Sequence, residues 1–518
     1  MSERYNHIVI GAGHNGLVCA TMLAKKGRSV LVLEAGDAIG GMAVTREFAP
    51  GFKVSACAHL LHGLPADLAR ALALEQHGLR FAVREMPSVA LNPAGTPIVY
   101  TNDTIRGVGR RDAEEYVHFS TRFARFARLV GHVLGIEPFR LSLATWREGL
   151  PGLRVALKLR LLGRAAMREL MRIIGMNAYD LLTDHFESEL LKGALGFDAT
   201  LGAEHGARSP GTVLTLLYRW AGQAGARSTG VAQPIGGMGA VSEAIASAAR
   251  AAGAEIRTRS PVARIVVDND RATGVRLASG ETIGADSVIS STDPRATFLR
   301  LLGAEYLDTD FVRRVDHFRA RGVVAKVHLA LDALPEFRGV DRSEIGARLI
   351  VCPSLEYLET AFNPSKYRDI PENPVLEITV PSVNDIGLAP AGQHVMSINV
   401  MFVPYDLGLD PAAARQRILA NVISTLERYA PGIGHQIVAS ELLTPADLER
   451  EFGVAGGHWH HGALAFDQFF FTRPVPGAAT YSTPVAGLYL CGASSHPGGG
   501  VMGLAGRNAA RKVLQQGA

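Results

Sequence analysis

One unit at the start of this chain leaves few folding solutions. An apolar run at residues 8–10 precedes Gly11, Gly13 and Gly16, a helical pattern follows, and a second apolar run ends at Glu34. Short apolar runs bounded by turn signals are typical of buried strands. The order strand, glycine turn, helix, strand and acid is that of a dinucleotide-binding βαβ unit. We therefore predict an α/β fold whose first helix directs its N-terminus at a bound dinucleotide.

Each residue of this motif has its own physical role. Gly11 permits the tight turn, Gly13 lets the backbone approach a pyrophosphate, and Gly16 lets helix and strand pack closely. Glu34 is placed to accept hydrogen bonds from both ribose hydroxyls, and its charge would repel the additional phosphate of NADP. The alternative is a plain glycine turn, but the strand, helix and acid around the glycines all favour binding.

The glycine pattern continues beyond Glu34 as Ala-Gly-Asp-Ala-Ile-Gly-Gly, ending at Gly41. Ala35, Gly40 and Gly41 then lie where the chain passes the central phosphates and ribityl chain of a ligand. This extension resembles the motif of FAD-containing amine oxidases, phytoene desaturases and their relatives, and simple NAD dehydrogenases lack it. The resemblance implies that the dinucleotide is FAD.

Composition narrows the class of protein. Hydrophobic residues make up 47% of the 518 residues, yet no uncharged apolar run is long enough to cross a bilayer. The first strand begins so early that we expect no signal or transit peptide. The net charge of +4 does not suggest a nucleic-acid partner. The four cysteines form no C-x-x-C pair, which indicates a reducing, cytoplasmic setting and argues against a disulfide reductase.

Strand and helix signals divide the chain between two domains. The middle of the chain carries an Ala-rich helical stretch followed by strands with Asx-rich turns, and the end carries a strand, a glycine-rich turn and a helix. We predict a discontinuous Rossmann-like domain and a mixed α+β substrate domain. The first comprises residues 1–90, 228–300 and 455–518, and the second comprises residues 91–227 and 301–454.

The C-terminal sequence carries a more specific resemblance. The run Gly487-Leu-Tyr-Leu-Cys-Gly-Ala-Ser-Ser-His-Pro-Gly-Gly-Gly-Val-Met-Gly, with Asp467-Gln-Phe-Phe-Phe-Thr-Arg-Pro before it, resembles the phytoene-desaturase-related flavoproteins. Within them it is similar to the group of pyridine nucleotide-disulphide oxidoreductase domain-containing protein 2, over nearly the whole chain. The resemblance implies noncovalent FAD in a glutathione-reductase-like fold.

The resemblance also assigns cofactor contacts. It implies that Gly492 and Ala493 lie near the ribityl phosphate, although many relatives have an acid where this chain has Ala493. It further implies a strand at Val262 against the adenine. The remaining implied contacts are with the isoalloxazine ring and come from Val501, Met502 and Gly503.

Three residues are candidates for catalysis. Lys326 enters an apolar strand at a position similar to the lysine of flavin amine oxidases that holds a water beside the ring; a strand-end lysine reaching solvent is the alternative. His461 is a candidate acid–base or substrate-orienting group, or else a structural histidine. His62 and its neighbour His59 are candidates for facing the substrate. The His-x-His-His run of His458, His460 and His461 lacks the carboxylate or cysteine ligands of a typical metal site, so we predict no metal site.

Residues 153–174 have the pattern of a basic amphipathic helix. Arginines and lysines fall on one arc, and Leu159, Leu162 and Leu170 fall on the other. This pattern indicates peripheral membrane contact, with the leucines dipping into lipid. The alternative is a surface helix packed on the protein's own core.

The resemblance and the motifs predict an FAD-dependent dehydrogenase, desaturase or oxidase that removes a hydride from a hydrophobic small molecule. Electrons would pass to oxygen or a quinone. The protein would position the flavin and supply the electrostatic field around it. Alternatives are a flavin amine oxidase, a redox-neutral flavin isomerase and, from a different class, a non-enzymatic prenyl-lipid carrier with this fold.

Overall fold

The computed structural model describes residues 4–138, 146–223 and 231–517. Its strands, in chain order, are β1 (Arg4–Ile10), β2 (Val30–Leu33), β3 (Thr45–Ala49), β4 (Phe52–Ser55), β5 (Leu61–His62), β6 (Phe81–Val83), β7 (Ser88–Asn92), β8 (Gly95–Tyr100), β9 (Ile105–Arg106), β10 (Val231–Pro234), β11 (Glu255–Arg257), β12 (Val262–Asp268), β13 (Arg271–Leu277), β14 (Thr282–Ser290), β15 (Val324–Leu331), β16 (Arg348–Val351), β17 (Leu376–Thr379), β18 (His394–Met401), β19 (Ile437–Leu443) and β20 (Leu488–Leu490).

The helices connect and cover these strands. They are α1 (His14–Ala24), α2 (Ala66–Ala71), α3 (Arg110–Leu134), α4 (Trp146–Leu161), α5 (Arg164–Ile173), α6 (Ala178–His185), α7 (Glu189–Thr200), α8 (Thr212–Gln223), α9 (Gly239–Ala251), α10 (Thr309–Asp316), α11 (Leu355–Phe362), α12 (Pro411–Tyr429), α13 (Ile433–Gln436), α14 (Pro445–Phe452) and α15 (Leu504–Gln515).

The first sheet joins distant parts of the chain. Its order is β11-β2-β1-β14-β13-β12, with β20 beside β14, and β1 pairs in parallel with β2 and β14. The apolar runs of β1 and β2 are buried, because parallel strands are covered on both faces. Helices α1, α9 and α15 supply much of that cover. The predicted α/β class is confirmed.

Helices α1 and α15 cross at very short distance. A Cβ atom placed on Gly506 of α15 would lie 2.0 Å from the carbonyl oxygen of Asn15 in α1. Only glycine permits this approach. The last helix is therefore held directly against the helix that follows the dinucleotide loop.

The predicted segment boundaries can be placed only in part. Residue 228 lies outside the described residues. The boundary at residue 90 falls inside β7, which begins at Ser88 and pairs in parallel with β16 of the second sheet. All three predicted segments contribute strands to the first sheet.

The second sheet has the order β19-β15-β18-β17-β16-β7-β8-β9, and its two faces differ in chemistry. One face is apolar and packs on α12 through residues such as Val327, Ile378 and Ile398. Alternate residues point to the opposite face, as the pleat requires, and several of these are polar and buried. They are Ser88, Lys326, His328, Arg348, Glu377, Thr379, Ser397 and Asn399. Helices α3, α7 and α8 belong to the core cluster on this side.

Residues 153–174 do not form one helix. The segment is divided between α4 and α5 at Gly163, whose φ of 84° favours glycine. Leu159 and Leu162 pack on the protein's own core and Leu170 is buried in it, so the prediction that these leucines enter lipid is wrong. The side chains of Leu153, Leu157 and Leu161 are instead exposed by 64%, 56% and 75%.

Within the described part of the chain, no helix is both long enough and apolar enough to cross a membrane.

Candidate active site

A cavity of about 560 Å³ lies where the two sheets approach each other. The dinucleotide loop and the end of β2 line one part of it, through residues such as Gly11, Gly13 and Glu34. Arg219, Glu377, His59 and His62 line another part, which we call the polar wall. Apolar side chains including Leu60, Leu201 and Trp459 also line the cavity.

The glycine loop has the shape that a bound pyrophosphate requires. A Cβ atom on Gly13 would meet no protein atom within 4 Å, whereas a Cβ on Gly16 would lie 2.2 Å from the carbonyl oxygen of Gly11. Gly13 therefore leaves open space beside the backbone, and Gly16 permits close packing within the turn. A bridge between Gly13 and Gly40 draws the two glycine segments together.

Glu34 is held at this loop by backbone hydrogen bonds. Its Oε2 accepts a hydrogen bond from the Ala12 N–H at 2.8 Å, and its Oε1 accepts one from the Gly36 N–H at 2.9 Å. Each carboxylate oxygen retains a second lone pair that can accept from a ribose hydroxyl. The residues present thus fit the adenosine half of a dinucleotide.

Most predicted cofactor residues line the cavity, and some do not. Those that line it are Gly11, Gly13, Glu34, Ala35, Gly40, Gly41, Val262, Ala493 and Val501. Gly16, Gly492, Met502 and Gly503 are not among the lining residues.

These four residues have packing or backbone roles next to the residues that line the cavity. A Cβ on Gly492 would lie 2.5 Å from the Ser291 carbonyl oxygen, and Gly503 begins α15 with a φ of 69°. Met502 is buried in the core cluster of the helices. Met502 and Gly503 thus have packing and backbone roles beside the cavity, and their implied place near the flavin ring stays a prediction.

Glu377 is the centre of the polar wall. Its Oε1 accepts from Arg348 Nε at 2.5 Å, and its Oε2 accepts from His59 Nε2 at 3.0 Å and Asn399 Nδ2 at 2.6 Å. Burial alone would raise the pKa of Glu377, but the Arg348 charge and the His59 hydrogen bond outweigh it and hold the pKa well below its ordinary value. Glu377 is therefore ionised although it is buried.

Two guanidinium groups share the buried carboxylates. Arg348 forms a bidentate pair with Asp198, at 2.5 Å from Nη2 to Oδ1 and 3.2 Å from Nη1 to Oδ2. Arg219 stands further away, with Nη2 at 3.4 Å from Glu377 Oε1 and Nε at 3.6 Å from Asp198 Oδ1. Arg348 thus makes the short contacts with both carboxylates, and Arg219 is the guanidinium that lines the cavity.

Lys326 is not among the residues that line the cavity. Its side chain is buried in β15, and Nζ donates a hydrogen bond to Asn399 Oδ1 at 3.0 Å. Burial lowers its pKa from 10.5 to about 7, against the opposing charge of Glu377. Lys326 therefore reaches the polar wall through Asn399, and its predicted place near the flavin, with a water held beside the ring, stays a prediction.

The histidines of the cavity are neutral near pH 7. Burial lowers the pKa of His59 to about 4, that of His461 to about 3, and that of His62 well below its ordinary value. His461 lines the cavity with a positive φ of 53°. His14, the first residue of α1, also lines it, and its buried Nε2 has no hydrogen-bond partner among the described residues.

Several of these residues were not singled out by their sequence. Glu377, Arg348 and Arg219 are each a lone charge within an otherwise apolar segment. That pattern is the signal that could have identified them, because an unpaired charge is costly to bury and so implies a partner. His14 is a polar residue inside the glycine motif and could have been noted on the same basis.

The two large sheets, the dinucleotide loop with Glu34 and the adjoining cavity define a flavin-dependent oxidoreductase. The family model described as flavin containing amine oxidoreductase matches residues 16–514. The chain belongs to this family, which confirms the predicted resemblance and enzyme class.

Individual relatives match over nearly the whole chain. The rat protein named pyridine nucleotide-disulfide oxidoreductase domain-containing protein 2 is 35% identical, covering 99% of this chain and 94% of its own. Phytoene desaturase (lycopene-forming) of Pseudescherichia vulneris is 26% identical over 96% of both chains. The solved structure of cyclohexylamine oxidase from Brevibacterium oxydans has a TM-score of 0.59 at 17% identity, with 99% of each chain covered, and so shares the fold.

Proposed function

We propose that the flavin is FAD, bound without a covalent link, and that the enzyme removes a hydride from a hydrophobic small molecule. The observation that carries the proposal is the continuous cavity that joins the dinucleotide loop to apolar walls. FMN contains neither the pyrophosphate that the loop would receive nor the adenosine ribose that Glu34 would contact. When bound, the flavin supplies the hydride chemistry.

The protein's own residues would exclude water and position the substrate. Leu60, Leu201 and Trp459 give the substrate an apolar surface, and neutral His461 can orient a substrate group through a hydrogen bond. We propose oxygen or a quinone as the electron acceptor.

Two measurements test this function. The purified protein should absorb at about 450 nm, as oxidised flavins do, and acid precipitation should release FAD into the supernatant. In anaerobic titrations with polyenes, fatty alcohols and amines, an apolar compound that is a substrate should bleach this absorbance. A colourless protein, a flavin retained in the pellet or release of FMN would contradict the proposal.

A second proposal concerns the surface formed by α4 and α5. Leu153, Leu157 and Leu161 follow one another at helical spacing and are exposed. Exposed cations flank them, and they are Arg154, Lys158, Arg160, Arg164 and Arg168. An apolar stripe between cations favours an anionic bilayer surface, and we propose that this surface makes peripheral membrane contact.

A further inference from the structure

Arg219 has hydrogen-bonding capacity that the protein itself does not use. Its side chain is only 13% exposed, and Nε has no hydrogen-bond partner among the described residues. The contact with Glu377 is long, at 3.4 Å, for a charge-assisted bond. A guanidinium has five N–H donors, and within the described residues the Arg219 side chain makes one hydrogen bond, the long one to Glu377. Arg219 lines the cavity, so its remaining donors are available to a ligand there.

The neighbouring carboxylates do not require Arg219. Arg348 holds Asp198 through two hydrogen bonds and Glu377 through one. His59 and Asn399 occupy the other oxygen of Glu377. Arg219 is therefore not the main partner of these charges, and the N–H groups that it does not direct at Glu377 can receive an anion.

The charges around Arg219 favour an anion over a cation. The two guanidiniums of Arg219 and Arg348 balance the carboxylates of Asp198 and Glu377, and Lys326 stands behind Asn399. An ammonium group placed here would meet a guanidinium on the cavity side and carboxylates that already have partners. A carboxylate would meet unused donors of a largely buried guanidinium, where a charge-assisted bond is strong.

We propose that the cavity takes an apolar molecule that carries a carboxylate, and that Arg219 binds this carboxylate. The apolar chain would lie along Leu60, Leu201 and Trp459. The inference rests on the proposed function, since it names the substrate class of the same cavity. It separates this chain from an amine-binding site despite the name of its family.

Calorimetric titration of the purified flavin-loaded protein tests the proposal without turnover. The probes are decanoate, decan-1-ol and decylamine, which share a chain length and differ in head group. Decanoate should bind with one-to-one stoichiometry and at least about tenfold more tightly than decan-1-ol, the scale of one charge-assisted hydrogen bond. No measurable binding of decanoate, or tighter binding of decylamine, would overturn the proposal.

Variants assign the effect to Arg219. Arg219→Met should weaken the binding of decanoate at least about tenfold and leave the binding of decan-1-ol unchanged, because only the charged head group loses its partner. Arg219→Lys keeps the charge without the forked donor set, so its affinity for decanoate should be intermediate. This variant also provides the test if Arg219→Met does not fold. Arg276→Met removes an exposed cation of β13 outside the cavity and should bind decanoate like the parent. Equal decanoate affinity in both Arg219 variants and the parent would overturn the proposal.

The two proposals can fail separately. If no substrate bleaches the flavin but decanoate still binds through Arg219, the oxidation proposal fails and the binding site stands. If a neutral polyene bleaches the flavin and decanoate does not bind, the carboxylate inference fails alone.

Discussion

Lys326 and Asn399 face each other directly in the register of β15 and β18, and Lys326 Nζ donates to Asn399 Oδ1 at 3.0 Å. Asn399 is also paired in register with Glu377 of β17 and donates to it from Nδ2. A single amide therefore links a buried cation to a buried carboxylate. This relationship explains how an ammonium group is accommodated in the sheet without contact with the cavity.

Lys326→Met should change how stability depends on pH. The pKa of Lys326 is about 7 in the folded protein and 10.5 ordinarily, so between these values the unfolded chain binds more protons. The stability of the parent therefore rises with pH in this window, by at most about 1.4 kcal/mol per pH unit from this group. Thermal unfolding from pH 6 to pH 10 should show a smaller rise in the variant. Lys366→Met, at a half-exposed lysine, should keep the slope of the parent, and an equal slope in Lys326→Met would contradict the buried, deprotonating lysine.

Gly13→Ala and Gly16→Ala should fail in different ways. Gly13 has a φ of −66° and open space around its missing Cβ, so alanine should fold normally and weaken flavin binding through contact with the ligand. At Gly16 a Cβ would lie 2.2 Å from the Gly11 carbonyl oxygen, so alanine should lower the unfolding temperature of the apoprotein itself. Circular dichroism melts and flavin titration distinguish the two; a destabilised apoprotein with Gly13→Ala would contradict the assignment.

Glu34→Ala should weaken the binding free energy of the flavin by about 1.5–3 kcal/mol, the scale of lost charge-assisted hydrogen bonds. Reconstitution of the apoprotein, followed by flavin fluorescence, gives the dissociation constant. Asp37→Ala is the control, because Asp37 lies on the same turn but is 77% exposed and pairs with Arg259. Equal dissociation constants in Glu34→Ala and the parent would remove Glu34 from the cofactor site.

The first sheet and its loop could be predicted because their signals are local. The glycine spacing, the buried runs and Glu34 lie within one continuous stretch, and the helix predicted at the end of the chain is Leu504–Gln515. Val262–Asp268 also forms the expected strand. Asn269 and Asp270 make the turn after it with φ values of 48° and 59°, as Asx residues tolerate.

The polar wall could not be predicted because strand register assembles it. Arg219 of α8 and Glu377 of β17 are far apart in sequence. No periodicity in the sequence shows that β17 and β18 pair with Glu377 opposite Asn399. The same limit holds for Lys326: its strand is predicted from the sequence, but the contact of its side chain with Asn399 depends on the register. The break at Gly163 was missed because the apolar period continues through it.

Vesicle binding should depend on the exposed leucines of α4. Replacing Leu153, Leu157 and Leu161 together by Ser should reduce co-sedimentation with anionic vesicles by several-fold, because the apolar anchor is removed while the cations remain. The binding of the parent should weaken with salt. The matched control replaces three exposed apolar residues elsewhere, Ile386, Leu409 and Val438, and should bind like the parent. If the control loses as much binding as the α4 variant, the surface assignment is wrong.

The close crossing of α1 and α15 at Gly506 has a consequence for biosynthesis. Val501 and Ala493 line the cavity, and β20 completes the first sheet beside β14, so the cavity wall is unfinished while these residues are still inside the ribosome. Domains that form from contiguous stretches can fold during translation, but this one has to wait for its final strand and helix. Cofactor capture by the complete cavity therefore requires β20 and α15, which are synthesised after all the other strands and helices of the described chain.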